Sequence, residues 1–257
     1  MANRFGNIIQ KAVQRRSLRH WDRLAKSARS MDLATLRAVR ASARSLIQPL
    51  RDVIHVADSR LMLPMIGSNA IQTPAGSDWS YRPEIWRGPV EPRGIAAVRN
   101  KARLGDEAMV FHDCKNSELT LRQIRNTRER DLAPFGLSMD VFGFDGTYLS
   151  LVLNLPDTAV RDLKKKHLLR LDAIAEMEKP LEIFARLNIK HGPNTEQIVR
   201  ELPLNQDDVM VEFDLAYTQL NEKRAERLWI ELIFESPQMN RIILRDITFS
   251  RRPRAEL

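Results

Sequence analysis

The sequence predicts a mainly β protein, an antiparallel β-sandwich carrying an N-terminal basic α-helical segment. Three observations predict it. After Leu104, apolar residues recur with a period of two in several separate stretches. From Phe5 to Leu63 the chain is rich in Ala, Leu, Arg and Ser, with Gly6 and Pro49 as its only glycine and proline. Between the two, Pro64, Gly67, Pro74, Gly76, Pro83, Gly88, Pro89 and Pro92 interrupt any regular period. The resulting division is residues 1–65 as a helical segment, 66–93 as a linker and lead-in segment, and 94–257 as the sandwich.

In the first segment Phe5, Ile8, Ile9, Ala12 and Val13 recur at helical steps, and Trp21, Leu24, Ala25 and Ala28 resume the pattern. That predicts one amphipathic helix, or two meeting near Ser17. Leu36, Val39, Ala43, Leu46, Leu50, Val53 and Ala57 then alternate steps of three and four, a heptad seam that a helical hairpin or a coiled coil would bury. Pro49 lies off the seam and is expected to kink or divide the helix.

Within the sandwich the alternation is clearest in Val209, Val211, Phe213, Leu215 and Tyr217. It repeats in Leu149 to Leu155, Ile183 to Ile189 and Leu228 to Phe234. Less regular strands are expected over 108–114, 118–125, 137–144, 167–177, 196–204 and 241–250. Asp145-Gly146 predicts a two-residue hairpin turn, and Gly192-Pro193-Asn194 a second one. Asp157 is expected to cap a short basic helix ending in Lys164, Lys165 and Lys166.

Charge separates the parts further. Residues 1–65 hold 13 Lys and Arg against 4 Asp and Glu, whereas 66–257 hold 28 against 29. The basic excess therefore belongs to the helical segment, where Arg15, Arg16, Arg19 and Arg23 beside Trp21 suit peripheral contact with an anionic membrane surface. Self-association through the seam, with arginines as the solvated face, is the structural alternative. Nucleic acid is disfavoured, because only Phe5 and Trp21 could stack on bases there and no recognised binding module follows. Residues 1–30, with Asp22 as their one acid, are also similar to an organelle transit peptide.

Several chemistries lack their residues. Cys114 is the only cysteine, so no intrachain disulfide forms and no Cys-rich zinc site can be built. No apolar run approaches the roughly 20 residues of a membrane span, and no secretory signal core is evident. A cytoplasmic setting is expected, extending to the inner membrane surface. His20, His55, His112, His167 and His191 are dispersed, Asp207-Asp208 is a meagre start for calcium, and neither GxGxxG nor a P-loop occurs. No metal, cofactor or catalytic residue is assigned. His112 and Cys114 share a strand face but lack an orienting third group, which favours a buried structural cysteine.

The candidate ligand-binding residues are polar rows and aromatics. Arg186, Asn188 and Lys190 alternate with an apolar row, as do Glu212 and Asp214, and such groups offer the paired donors and acceptors that hydroxyls require. Cross-strand ion pairing, with Arg170 and Asp172 also in reach, is the competing account. Trp79, Tyr81 and Trp86 are either a stacking rim for a sugar or a plug at one end of the sandwich. Glu212 and Asp214 would be the acids of a carbohydrate-active enzyme, although glycosidase carboxylates usually come from different elements.

The segments DWSYRPEIWRGP (78–89), IFARLNIKHGPNTE (183–196), VEFDLAY (211–217) and LRDITFSRRPRAEL (244–257) resemble a bacterial family of unknown function, which implies no activity. More loosely, the strand plan and the closing strand Arg241 to Arg252 are similar to jelly-roll carbohydrate-binding modules of the galactose-binding type. That resemblance implies a jelly-roll-like sandwich and a carbohydrate ligand. The leading expectation is thus a non-catalytic module for carbohydrate or another polyhydroxylated ligand, its helical arm serving oligomerisation or anionic-surface attachment. The alternative is a scaffold whose sandwich binds another protein.

Overall fold

The structure is a computed structural model that describes residues 2–61, 71–128, 131–204 and 208–254, with no side-chain description for 2–12 and 58–61. The expected roles of the Phe5, Ile8, Ile9 and Ala12 side chains, and of Asp207, fall outside the described residues. The chain divides into two compact units, Met1–Ile54 and His55–Leu257.

The first unit is helical. Helix α1 spans Ala2–Ser27 as one element, the first of the two arrangements open to it, with no break near Ser17. A 3-10 turn, Ala28–Ser30, leads to Asp32, whose carboxylate accepts hydrogen bonds from the Ala34 and Thr35 amides, each at 3.0 Å. Those bonds satisfy free donors at the start of α2, Leu33–Leu61, and the Thr35 bond chiefly lowers the Asp32 pKa. Pro49 sits inside α2 and does not divide it, since proline removes only the bond its nitrogen would give the carbonyl one turn back. The seam is not buried as a hairpin would bury it. Leu36, Val39 and Ala43 are half-buried, and Leu46, Leu50 and Val53 are exposed.

The second unit is a β-sandwich with thirteen strands among the described residues, β1 Trp79–Tyr81, β2 Gly94–Ile95, β3 Ala102–Leu104, β4 Ala108–His112, β5 Leu119–Arg125, β6 Phe135–Val141, β7 Leu149–Asn154, β8 His167–Met177, β9 Ile183–His191, β10 Asn194–Glu201, β11 Asp208–Asp214, β12 Ala225–Phe234 and β13 Asn240–Pro253. One short helix, α3 Glu84–Arg87, follows β1. Seven strands form one antiparallel sheet in the order β11, β8, β13, β6, β5, β2, with β1 paired to β13. Six form the other, in the order β10, β9, β12, β7, β4, β3.

The alternating rows explain this arrangement. Leu149, Leu151 and Leu153 of β7, Ile183 to Ile189 of β9 and Leu228 to Phe234 of β12 turn one face inward. Leu169, Leu171, Phe213 and Phe249 do the same from the seven-stranded sheet, and all join one core. Tyr217, expected to continue the β11 row, is 81% exposed, because the chain leaves the strand at Asp214 and enters a 3-10 turn.

Two expected local structures differ. Asp145-Gly146 does not close a hairpin, since β6 and β7 belong to different sheets and 142–148 crosses between them. Gly146 is needed there for close approach, because a Cβ would stand 2.5 Å from Asp113 Oδ1. The basic helix over 157–166 is absent apart from a 3-10 turn at Asp157–Ala159. The Arg251 guanidinium donates to the carbonyls of Ala159 (3.1 Å) and Arg161 (2.8 Å), and Leu163 N–H bonds Val160 O instead of continuing an α-helix. The Gly192-Pro193 turn does join β9 to β10, with Gly192 at φ +58° and Asn194 already paired to His191.

Buried polar groups fasten the lead-in segment. Gln123 Nε2 donates to Ile85 O (2.7 Å) and Gly88 O (2.8 Å), while its Oε1 accepts from Val90 N (3.0 Å). Arg82 makes two bonds to Asp246, at 2.8 and 2.9 Å, where β13 shifts register between Leu244 and Asp246. These contacts satisfy groups that burial would otherwise leave unpaired.

Candidate functional site

The outward rows of the six-stranded sheet assemble the candidate site. Register places Asn154 of β7, Trp229 of β12, Asn188 of β9 and Gln197 of β10 in one line across four strands. Neighbouring strands lie about 4.8 Å apart, so the line sets one aromatic ring among three amides. The next line is Met109, Val152, Glu231 and Arg186, followed by Phe111 and Ser150.

Polar contacts orient these side chains. Gln197 Nε2 donates to Asn188 Oδ1 at 2.9 Å, and Asn188 Nδ2 to Arg186 O at 3.1 Å. Asn154 Nδ2 donates to Glu107 O at 3.2 Å, and its Oδ1 accepts from the Arg227 guanidinium, which lies 5.4 Å from the Trp229 ring centre. Arg186 is closed on Glu231, and Lys190 on Glu226 at 3.0 Å. Trp229, Phe111, Met109 and Val152 are half-buried and Tyr148 is 42% exposed, bounding a shallow cleft of about 360 Å³. Such a surface can stack on the apolar face of a ring while amides and charged groups meet its polar rim.

The residues singled out from the sequence separate in space. Arg186, Asn188 and Lys190 belong to this face, although Asn188 is 1% exposed and serves as support. Glu212 and Asp214 belong to the other sheet, where they bond Arg252 (3.0 Å) and Arg254 (3.2 Å), so they do not complement the β9 row. Arg170 stands opposite Glu212 in the register and pairs with Asp172. A second cleft of about 510 Å³ lies there, with Arg170, Asp172 and Thr248 in its wall and no aromatic ring.

Trp86 is no rim residue. It is fully buried, and its Nε1 donates to Leu244 O at 2.9 Å. Trp79 and Tyr81 stack with centroids 6.0 Å apart and pack against the core. Tyr81 donates to the Glu107 carboxylate, and burial, then that carboxylate, push its pKa well above the ordinary 10.0. Both are therefore plugs rather than a free stacking platform.

His112 is buried, with Nε2 2.8 Å from Val98 O and Nδ1 accepting from Cys114 N at 3.2 Å. Burial raises the Cys114 pKa, contrary to what an activated thiolate requires. Among the described residues no three His, Cys, Asp or Glu side chains come together to hold a metal. Arg15, Arg16, Arg19 and Arg23 are exposed on α1, and Trp21 is half-buried beside His20 at 5.8 Å. Residue pattern alone does not single out Trp229, Phe111, Tyr148, Asn154 and Gln197 as a site. Trp229 carried a signal nonetheless, as the large aromatic on the outward row between Leu228 and Ile230.

No curated protein matches the sequence. Solved structures similar to it include the enzymatically active domain of bacteriophage CBA120 tailspike protein 4, at 11% identity and a TM-score of 0.41, covering 60% of this chain and 21% of that one. The chain thus spans about a fifth of that tailspike domain's length. The family 11 carbohydrate-binding module from Clostridium thermocellum, in complex with a mixed-linked β-1,3-1,4 tetrasaccharide, is 11% identical with a TM-score of 0.37, covering 62% and 96%. A xylan-binding family 22 domain from Paenibacillus barcinonensis is 8% identical with a TM-score of 0.39, covering 71% and 100%. At these scores the likeness decides nothing about the ligand, and the sandwich rests on its own strand pairing. One family's sequence profile spans residues 1–257, and the chain accordingly belongs to that family of unknown function, DUF6478.

Proposed function

We propose that the protein is a non-catalytic binding module that holds carbohydrate, or another polyhydroxylated ligand, on the outer face of the six-stranded sheet. The observation that carries this reading is the half-buried Trp229 ring in line with three amides, beside Phe111 and the exposed Tyr148. A pyranose has an apolar face of C–H groups and a rim of hydroxyls, which such a line matches in kind. The second cleft offers charged pairs already closed on one another and no ring to stack on, so it supports the reading less.

The helical arm has an attachment role in this reading, by self-association or by contact with an anionic surface. A scaffold function, in which the sandwich binds another protein and the helices assemble the molecule, draws for its assembly part on the exposed seam residues Leu46, Leu50 and Val53. A glycan array probed with the full chain at physiological salt separates module from scaffold. We expect selective binding that Trp229→Ala weakens by up to about tenfold, the scale of one lost stacking contact, in a protein that still unfolds in one cooperative transition. Glu212→Gln, on the opposite sheet, should leave binding intact. A blank array from the folded protein would move the assignment to the scaffold.

A further inference from the structure

Helix α2 carries an apolar stripe that is half-buried over its first half and open over its second among the described residues. Leu36, Val39, Ala43, Leu46, Leu50 and Val53 share one face by their steps of three and four, and Ile47 and Ile54 widen it. Over its second half the stripe is open to solvent, with Leu46 and Ile47 each 44%, Leu50 59%, Val53 66% and Ile54 54% exposed. Arg37, Arg40, Arg44 and Arg51 follow steps of three, four and seven, which sets them in a row along one flank of the stripe. No ion pair involves these four arginines among the described residues, and Asp52 is the only acid from Leu33 to Ala57.

Apolar stripe and basic flank together select the partner. A second copy would cover the stripe but bring two arginine rows together with only Asp52 to offset them, and α1 adds Arg15, Arg16, Arg19 and Arg23 of the same sign. A leaflet of anionic lipid satisfies both features at once, since the stripe enters the acyl boundary while guanidiniums reach the headgroups. No helix among the described residues is long and apolar enough to cross a membrane, which fits a helix lying in the surface plane. We propose that α2 lies in the interface of an anionic lipid leaflet, apolar stripe inward and arginine row at headgroup level. The proposal rests on the attachment role of the arm and is independent of the glycan site.

Flotation of the full chain with vesicles tests it. With mixed phosphatidylcholine–phosphatidylglycerol vesicles we expect binding that falls steeply as salt rises, and with phosphatidylcholine alone at least about tenfold less. Leu46→Asp with Leu50→Asp should abolish binding through the stripe. Arg44→Gln with Arg51→Gln, both at exposed positions that support no fold contact, should reduce it by roughly tenfold, because each basic side chain adds about a fivefold preference before screening. Equal binding to neutral and anionic vesicles overturns the proposal, as does absence of binding by the folded wild-type chain. A lipid-free oligomer that the Leu46→Asp and Leu50→Asp change dissolves, without vesicle binding, would assign the stripe to self-association instead. Any of these outcomes leaves the glycan result unaffected.

Discussion

His167 shows how one buried side chain sets a pH limit. Its imidazole is held below the ordinary 6.5 by burial and then by the Arg251 guanidinium, with Asp78 opposing. A base with a depressed folded pKa binds more protons when unfolded. Its stabilisation is therefore full above pH 6.5 and is lost progressively as pH falls below that value. We expect the melting temperature to begin declining under about pH 6.5 and His167→Gln to flatten that first limb. Arg82 gives a larger effect. It is 2% exposed against Asp246, whose carboxyl burial raises and Arg82 pulls back down. Arg82→Met would leave a buried carboxylate uncompensated, and denaturant unfolding near neutral pH should register a loss of about 3–5 kcal/mol. The loss should shrink at acid pH, where Asp246 takes a proton. Side-chain environment was the least legible layer of the sequence. Trp86 and Trp229 are both lone tryptophans near polar residues, yet one donates to a buried carbonyl and the other faces solvent. Only Trp229 stood in an alternating pattern that fixes which way a side chain points.

Among the elements, regular alternation is legible in the sequence because it follows from the pleat itself, as in β7, β9, β11 and β12. Strands β1, β2 and β3 have two or three residues each, too few to display a period, and they form because β13, β5 and β4 offer them edges. Residues 157–166 failed in the opposite direction, since their helical composition was overridden when Arg251 took the carbonyls. The β9–β10 hairpin depends on Gly192 at φ +58°, a left-handed conformation that costs a residue bearing a Cβ about 1–2 kcal/mol. Gly192→Ala should lower stability by that amount in chemical denaturation, since the added Cβ meets nothing closer than 3.4 Å. The penalty would then be purely one of backbone conformation.

Over the whole molecule the sequence revealed inward and outward rows but not which sheet each strand joined. Arg186 and Glu212 both sat on polar rows, and only strand order placed them on opposite sheets. The same order concentrates stability. The buried apolar side chains run from Ile85 to Phe249, and none lies in residues 13–54. Deleting residues 1–54 should therefore leave the sandwich melting transition within a few degrees of the full chain. A collapse of the transition would mean that the arm contributes to the core.

β13 is the last strand of the sandwich to be synthesised, and it pairs with β8 along 242–253, with β6 along 240–244 and with β1 along 249–251. In the described sheet only β13 hydrogen-bonds β8 to β6, so β11–β8 and β6–β5–β2 are unpaired to each other until it emerges, while all six strands of the other sheet have already been synthesised. Before translation reaches the closing strand, the seven-stranded sheet exists only as separate strand groups, so its half of the core is completed last, the interval in which chaperone capture or aggregation would compete with folding.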